Sequence, residues 1–175
     1  MMYVKVPLDR LGVIIGAKGG TKRIIERLGV ALNVDSEVGS IQITSDDPLK
    51  EMVAGEVVKA IGIGFSPEKA LLLLDDEMLI LDTINLSKVA TTNKDMKRLK
   101  GRIIGKEGKT RELMETLTGA KISIYLKTVG IIGKPEQIQI VRRATEMLIK
   151  GVPHASVYSY LERQRREMKR MAILG

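Results

Sequence analysis

Two rhythms of apolar residues alternate along this chain, and the alternation happens twice. The β-branched stretches GSIQIT (39–44) and TVGIIG (128–133) read as strands. Each leads to a helix-spaced stretch that opens with proline, Pro48 starting PLKEMVAGEVVKAI and Pro135 starting PEQIQIVRRATEMLI. Proline suits the first position of a helix, where its missing N–H has no partner to lose. Both helices run to a glycine and a second proline-marked start, GFSPEKALLLL from Gly64 and GVPHASVYSYL from Gly151. Ahead of each strand the match is closer still. Residues 13–34 (VIIGAKGGTKRIIERLGVALNV) align with 102–124 (RIIGKEGKTRELMETLTGAKISI), with one residue inserted near Thr118. The chain is therefore two copies of one unit.

Each copy reads as strand, short helix, glycine loop, helix, strand, strand, helix. In the first copy these are a strand at 3–7, a short helix at 9–15, the loop 16–19, a helix over about 21–28, strands at 31–34 and 40–44, and a helix at 48–61. The second copy begins with a strand at 77–84, followed by a helix running toward Lys100 and then its own loop. Helices on one side of a three-stranded sheet predict an α+β sandwich in each unit, with domains over 1–75 and 76–175. The last segment, 155–172, carries Val157, Leu161, Met168 and Ala172 at helical spacing, with five Arg or Lys at other positions. It reads either as a packed, solvated C-terminal amphipathic helix or as a second surface for RNA or a partner.

Charge changes this picture. Lys and Arg number 29 against 21 acids, a net charge of +8 and a pI near 9.7, a balance that favours polyanionic partners. Residues 94–111 hold eight basic and two acidic residues, whereas 66–87 hold five acids and one lysine. Positive charge is thus concentrated around the second glycine loop. The first loop is less basic, with four cations and one acid over 9–23. With one Phe, four Tyr and no Trp, the chain lacks the aromatic platforms on which many single-strand binders stack bases. Any bases must rest on aliphatic side chains while the backbone holds the strand. No cysteine is present, which excludes disulfides and thiolate metal sites. The opening MMYVKVPLDRLG shows no secretory pattern, and the longest apolar run, 70–74, falls far short of the roughly 20 residues of a membrane span. A cytoplasmic location without a membrane partner is expected.

Two helices joined by Gly-x-x-Gly can seat a phosphate. Glycine lets the backbone approach closely at positive φ, and the following helix offers unpaired N–H groups and the positive end of its dipole. The second loop contributes Gly105, Lys106, Glu107 and Gly108, with Arg102, Lys109 and Arg111 as added countercharge and Ile103, Ile104 and Ile122 as an aliphatic floor. The first contributes Gly16, Ala17, Lys18 and Gly19, with Lys22. Thr21 and Thr110, two residues past each loop, could cap the following helix or touch a phosphate. A nucleotide-binding P-loop is excluded despite Gly108-Lys109-Thr110, because position 103, where the motif needs its first glycine, is Ile. The lone histidine, His154, rules out a His-based triad or His-based metal cluster. Asp75, Asp76 and Glu77 read as a solvated linker.

IIGxxG between two helices, followed at fixed distance by LTGAKISI, resembles the type I KH domain, an RNA- and single-strand-binding fold whose Gly-x-x-Gly loop clamps four backbone nucleotides. The second half, with RLKGRIIGKEGKTRELMETLTGAKISIY and GVPHASVYSYLERQRREMKRM, is similar to the archaeal branch of the small-subunit ribosome-assembly KH family (the Dim-two, or partner-of-Nob, family). Lys22 and Arg111, three residues past each loop, depart from the apolar residue common in KH domains. The resemblance implies binding of ribosomal RNA precursor near the 3′ end of the small-subunit RNA. It also implies partnership with the endonuclease that matures that end and with the alpha subunit of initiation factor 2. No catalytic activity and no cofactor are implied. The first loop keeps both glycines, as archaeal members do, and the second unit is expected to dominate binding. The alternative is a KH-fold protein-interaction scaffold that docks through the acidic 66–87 stretch.

Overall fold

The computed structural model describes all 175 residues, which divide into two compact units, Met1–Leu81 and Asp82–Gly175. In the first, β1 (Met2–Lys5), β2 (Ala31–Asp35) and β3 (Ser40–Thr44) form an antiparallel sheet in the order β1-β3-β2. In the second, β4 (Ile80–Asn85), β5 (Lys121–Tyr125) and β6 (Thr128–Gly133) take the equivalent order β4-β6-β5. In each unit the last strand lies in the middle, because a hairpin joins it to the strand before and its other edge takes the first strand.

The helices of the first unit are α1 (Leu11–Ile15), α2 (Gly20–Glu26), α3 (Pro48–Gly62), α4 (Pro67–Ala70) and α5 (Leu72–Asp75). Those of the second are α6 (Asn93–Ile104), α7 (Lys109–Thr118), α8 (Pro135–Ile149) and α9 (His154–Leu174). Their starts are chemically specified. Asp47 accepts from Leu49 N–H at 2.9 Å ahead of Pro48, and Thr92 accepts from Asp95 N–H at 3.0 Å to open α6. α3 packs on β1 and β3, and α8 on β6. The first core is built on Ile14, Ile25, Ile41, Ile43, Ile61 and Phe65, the second on Ile103, Met114, Ile131, Leu148, Val157 and Leu161, all at 1% exposure or less. Each such side chain contributes about 1.5–3 kcal/mol by leaving water.

Three local expectations change. The strand expected over 77–84 starts at Ile80, because Asp76 closes a turn, accepting from Met78 N–H at 2.8 Å through its side chain and from Leu79 N–H at 3.1 Å through its carbonyl. Asp75 is no linker residue but the end of α5, which packs on α3 with Leu73 only 8% exposed. The first compact unit runs to Leu81, past the 75/76 boundary read from the sequence, so that the first two residues of β4 group with it. No helix is long and apolar enough to cross a membrane.

Candidate nucleic-acid interface

The two glycine loops have one backbone shape. Gly16 and Gly105 have φ/ψ of 76/173° and 78/171°, the third loop residues Lys18 and Glu107 have 53/31° and 58/28°, and Gly19 and Gly108 have 74/15° and 75/10°. Three of four residues are thus at positive φ, a region glycine enters without cost and Lys or Glu does not. The first glycine is required for a second reason. A Cβ at Gly16 would lie 2.7 Å from the Thr21 nitrogen, and one at Gly105 would lie 2.7 Å from the Thr110 nitrogen. Each loop is closed by an N–H to carbonyl bond of 3.1 Å, Gly19 to Gly16 and Gly108 to Gly105.

The second loop presents Lys106, Glu107 and Lys109 to solvent, with Gly105, Gly108 and Ile104 half-exposed. Lys109 is the first residue of α7, where a cation opposes the helix dipole. An anion held there would relieve that opposition. In the first loop Ala17 and Lys18 are exposed, with Gly16, Gly19 and Lys22 half-exposed.

Several residues assigned to the RNA surface by their spacing prove to be structural. Ile103 and Ile122 are 0% and 2% exposed and belong to the second core, so of the proposed aliphatic floor only Ile104 reaches the surface. Thr110 is 1% exposed, caps no helix, and shares a 2.8 Å hydrogen bond with the Tyr158 hydroxyl. Thr21 likewise caps nothing and packs on Gly16. Arg102 donates from Nε to the Leu148 carbonyl at 2.9 Å and from Nη2 to the Val152 carbonyl at 2.6 Å. Its guanidinium ties α6 to the end of α8 and the turn beyond.

Lys22 and Arg111, the departures from the usual KH pattern, also have structural partners. Arg111 donates to Glu115 Oε1 at 2.7 Å, and Glu115 Oε2 accepts the Ile122 N–H at 2.9 Å at the start of β5. Lys22 reaches Glu26 Oε1 at 3.3 Å, and Glu26 Oε2 accepts the Leu32 N–H at 3.1 Å in β2. Each cation steadies a glutamate that holds a strand against the helix after the loop.

Sequence reasoning missed the glutamates Glu26 and Glu115, four residues after those cations and in register between the copies, a signal that was available. It also missed Arg98, His154 and Tyr158. With Gly101, Gly105, Lys106 and Lys109 they line a cleft of about 380 Å³ between α6, the second loop and the start of α9. The His154 and Tyr158 rings meet edge to face at 6.1 Å, and His154 Nε2 lies 3.0 Å from the Arg102 carbonyl.

Residues 80–166 match the model of a eukaryotic-type KH domain of type I. The KH domain-containing protein MJ0443 of Methanocaldococcus jannaschii is 46% identical over 172 residues, covering 95% of this chain and 75% of that protein. The pre-rRNA-processing protein PNO1 of Debaryomyces hansenii is 35% identical over 115 residues, which are 65% of this chain and 45% of that protein. The match thus spans less than half of the yeast relative. A solved a/eIF2α–aDim2p–rRNA complex from Pyrococcus horikoshii contains a chain with a TM-score of 0.88 and 47% identity, the match covering 95% of this chain and 94% of that one.

Proposed function

The chain belongs to the archaeal Dim2/PNO1 family of KH proteins, and from that premise we propose that it binds single-stranded precursor ribosomal RNA, chiefly through its second glycine loop. The protein acts without catalysis of its own, in the cytoplasm, during small-subunit assembly and maturation of the rRNA 3′ end. The observation that carries this reading is the second loop itself, a surface turn held at positive φ with Lys106 and Lys109 exposed on either side of Gly108. Main-chain amides of the loop and the first turn of α7 face the sugar–phosphate strand. The half-exposed Ile104, before the loop, and Leu113, after it, give the bases an apolar surface.

Partners follow from the relatives. The P. horikoshii complex joins its Dim2 protein to rRNA and a/eIF2α, so the same initiation-factor subunit and RNA are the expected partners here, together with the endonuclease that matures the rRNA 3′ end. A protein partner in that complex also keeps a scaffold role in view, alongside RNA binding.

The test is RNA binding by fluorescence anisotropy with the double variant K106D/E107D. Both positions are exposed, and Asp tolerates the left-handed conformation of position 107 better than most residues. Affinity should fall about a hundredfold, ~2.7 kcal/mol, with no change in melting temperature. For the wild type, neutralising about five phosphates predicts a log K against log salt slope near −3.5. Unchanged affinity in the variant, or a flat salt dependence, refutes the loop as the clamp.

A further inference from the structure

The cations that line the cleft behind the second loop have no counterparts in the first unit, although the two loops share one backbone shape. In the register that pairs Gly16 with Gly105 and Thr21 with Thr110, Arg98 corresponds to Asp9, Lys106 to Ala17 and Lys109 to Gly20. In the register that pairs the helix-opening prolines Pro48 and Pro135, His154 corresponds to Pro67 and Tyr158 to Leu71. The three cations of this cleft, Arg98, Lys106 and Lys109, are thus an acid, an alanine and a glycine in the first. The shape of the loop therefore does not depend on these cations, since the first loop has the same backbone without them.

Their arrangement in the second unit fits one chemistry. Arg98, Lys106 and Lys109 bring three cations to the cleft, which Gly101 and Gly105 also line, and the ion pair of Arg98 with Asp95, at 3.8 Å, is exposed. Such a pair contributes little and competes weakly for the guanidinium. The Nε2 of His154 is held at the Arg102 carbonyl, where it acts as donor, and this fixes the ring with Nδ1 as its remaining polar atom. Tyr158 is anchored through its hydroxyl to Thr110 and supplies an immobile wall.

We infer that this cleft is a phosphate subsite, a second hold on the RNA strand behind the loop. The inference rests on the RNA-binding reading above and extends the strand's path from the loop toward the start of α9. The phosphate is either an internal phosphodiester or a terminal monoester of the same RNA. Arg98 and Lys109 meet its oxygens, and the His154 ring lies beside it.

The experiment compares wild-type protein with R98D, which installs the residue the first unit carries, and with R98K, which keeps the charge. The probes are a short single-stranded RNA with a terminal hydroxyl and the same RNA with a terminal phosphate. R98D should bind about tenfold more weakly, with the salt slope less steep by about 0.7, the change for one phosphate contact on single strands. R98K should stay within about twofold. A deficit of equal size on both RNAs identifies an internal phosphodiester, and a deficit confined to the phosphorylated RNA identifies a terminal one. His154 is the chain's one histidine, so its ring proton resonances report this cleft alone. They should move on adding inorganic phosphate to wild type and stay fixed in R98D. Arg98 is 58% exposed, so melting temperature should not change. If R98D binds both RNAs as tightly as wild type while K106D/E107D loses affinity, the subsite is refuted and the loop reading stands. If K106D/E107D also keeps full affinity, the loop reading falls with the subsite.

Discussion

The loops at 16–19 and 105–108 trace the same path to within a few degrees, yet share few side chains beyond their two glycines and the threonine that follows. What the copies hold in common is what sets shape: glycines at positive φ, a threonine packed on the first of them, and a glutamate receiving the next strand's N–H. What they do not share is charge and the groups around the second loop's rear cleft. The shared residues set shape, and the cations of the cleft belong to one copy.

The two units also solve one structural problem with different residues. The carbonyls of Ile61 and Phe65, thirteen and seventeen residues after Pro48, receive Arg10 at 2.8 Å each. Those of Leu148 and Val152, at the same distances after Pro135, receive Arg102. Arg10 stands six residues before its loop and Arg102 three, about one helical turn apart. The repeated feature is a pair of carbonyls at the end of the helix that Pro48 or Pro135 opens and in the turn beyond it. Either of two turns can supply the donor.

The comparison can be broken at several levels. Its sharpest test is the first loop: A17D/K18D should cost no more than about threefold in RNA affinity, against the hundredfold of the matching change in the second, by anisotropy at one salt concentration. Near-equal losses would mean that both loops clamp. Gly16→Ala and Gly105→Ala should each destabilise by about 2 kcal/mol in urea unfolding, because the strain is the same in both. Arg10→Leu should cost about 1.5–2 kcal/mol from two lost charged hydrogen bonds. Adding Val13→Arg, which moves the donor to the position used in the second unit, should recover more than half. Failure to recover would show that the two arginines are not interchangeable. The smallest effect is Tyr158→Phe, which leaves the buried Thr110 hydroxyl without its partner and should cost about 1 kcal/mol. Leu71→Tyr in the first unit should give no matching gain.

Legibility in the sequence followed the range of the interaction. The repeat, both loops and the proline-opened helices were readable because glycine at positive φ and proline at a helix start act through their own backbone. The misread residues are those whose partners lie far along the chain. Arg102 looked like countercharge because it adjoins the loop, but its acceptors are 46 and 50 residues away. Thr110 looked like a cap, yet its partner is 48 residues on. Ile103 and Ile104 are adjacent apolar residues, and nothing local shows that the first points into the core and the second toward solvent. The rear cleft was invisible because its walls come from α6 and α9, which only folding brings together.

Lys18 and Glu107 stand in the left-handed region before any strand arrives. That energetic cost is met when the protein folds, so under the proposed reading an incoming nucleic acid would meet a turn already set and would not have to order it. Encounter and docking would then be nearly the same event, and the lifetime of the complex would depend on how tightly the strand is gripped and not on a rearrangement of the turn.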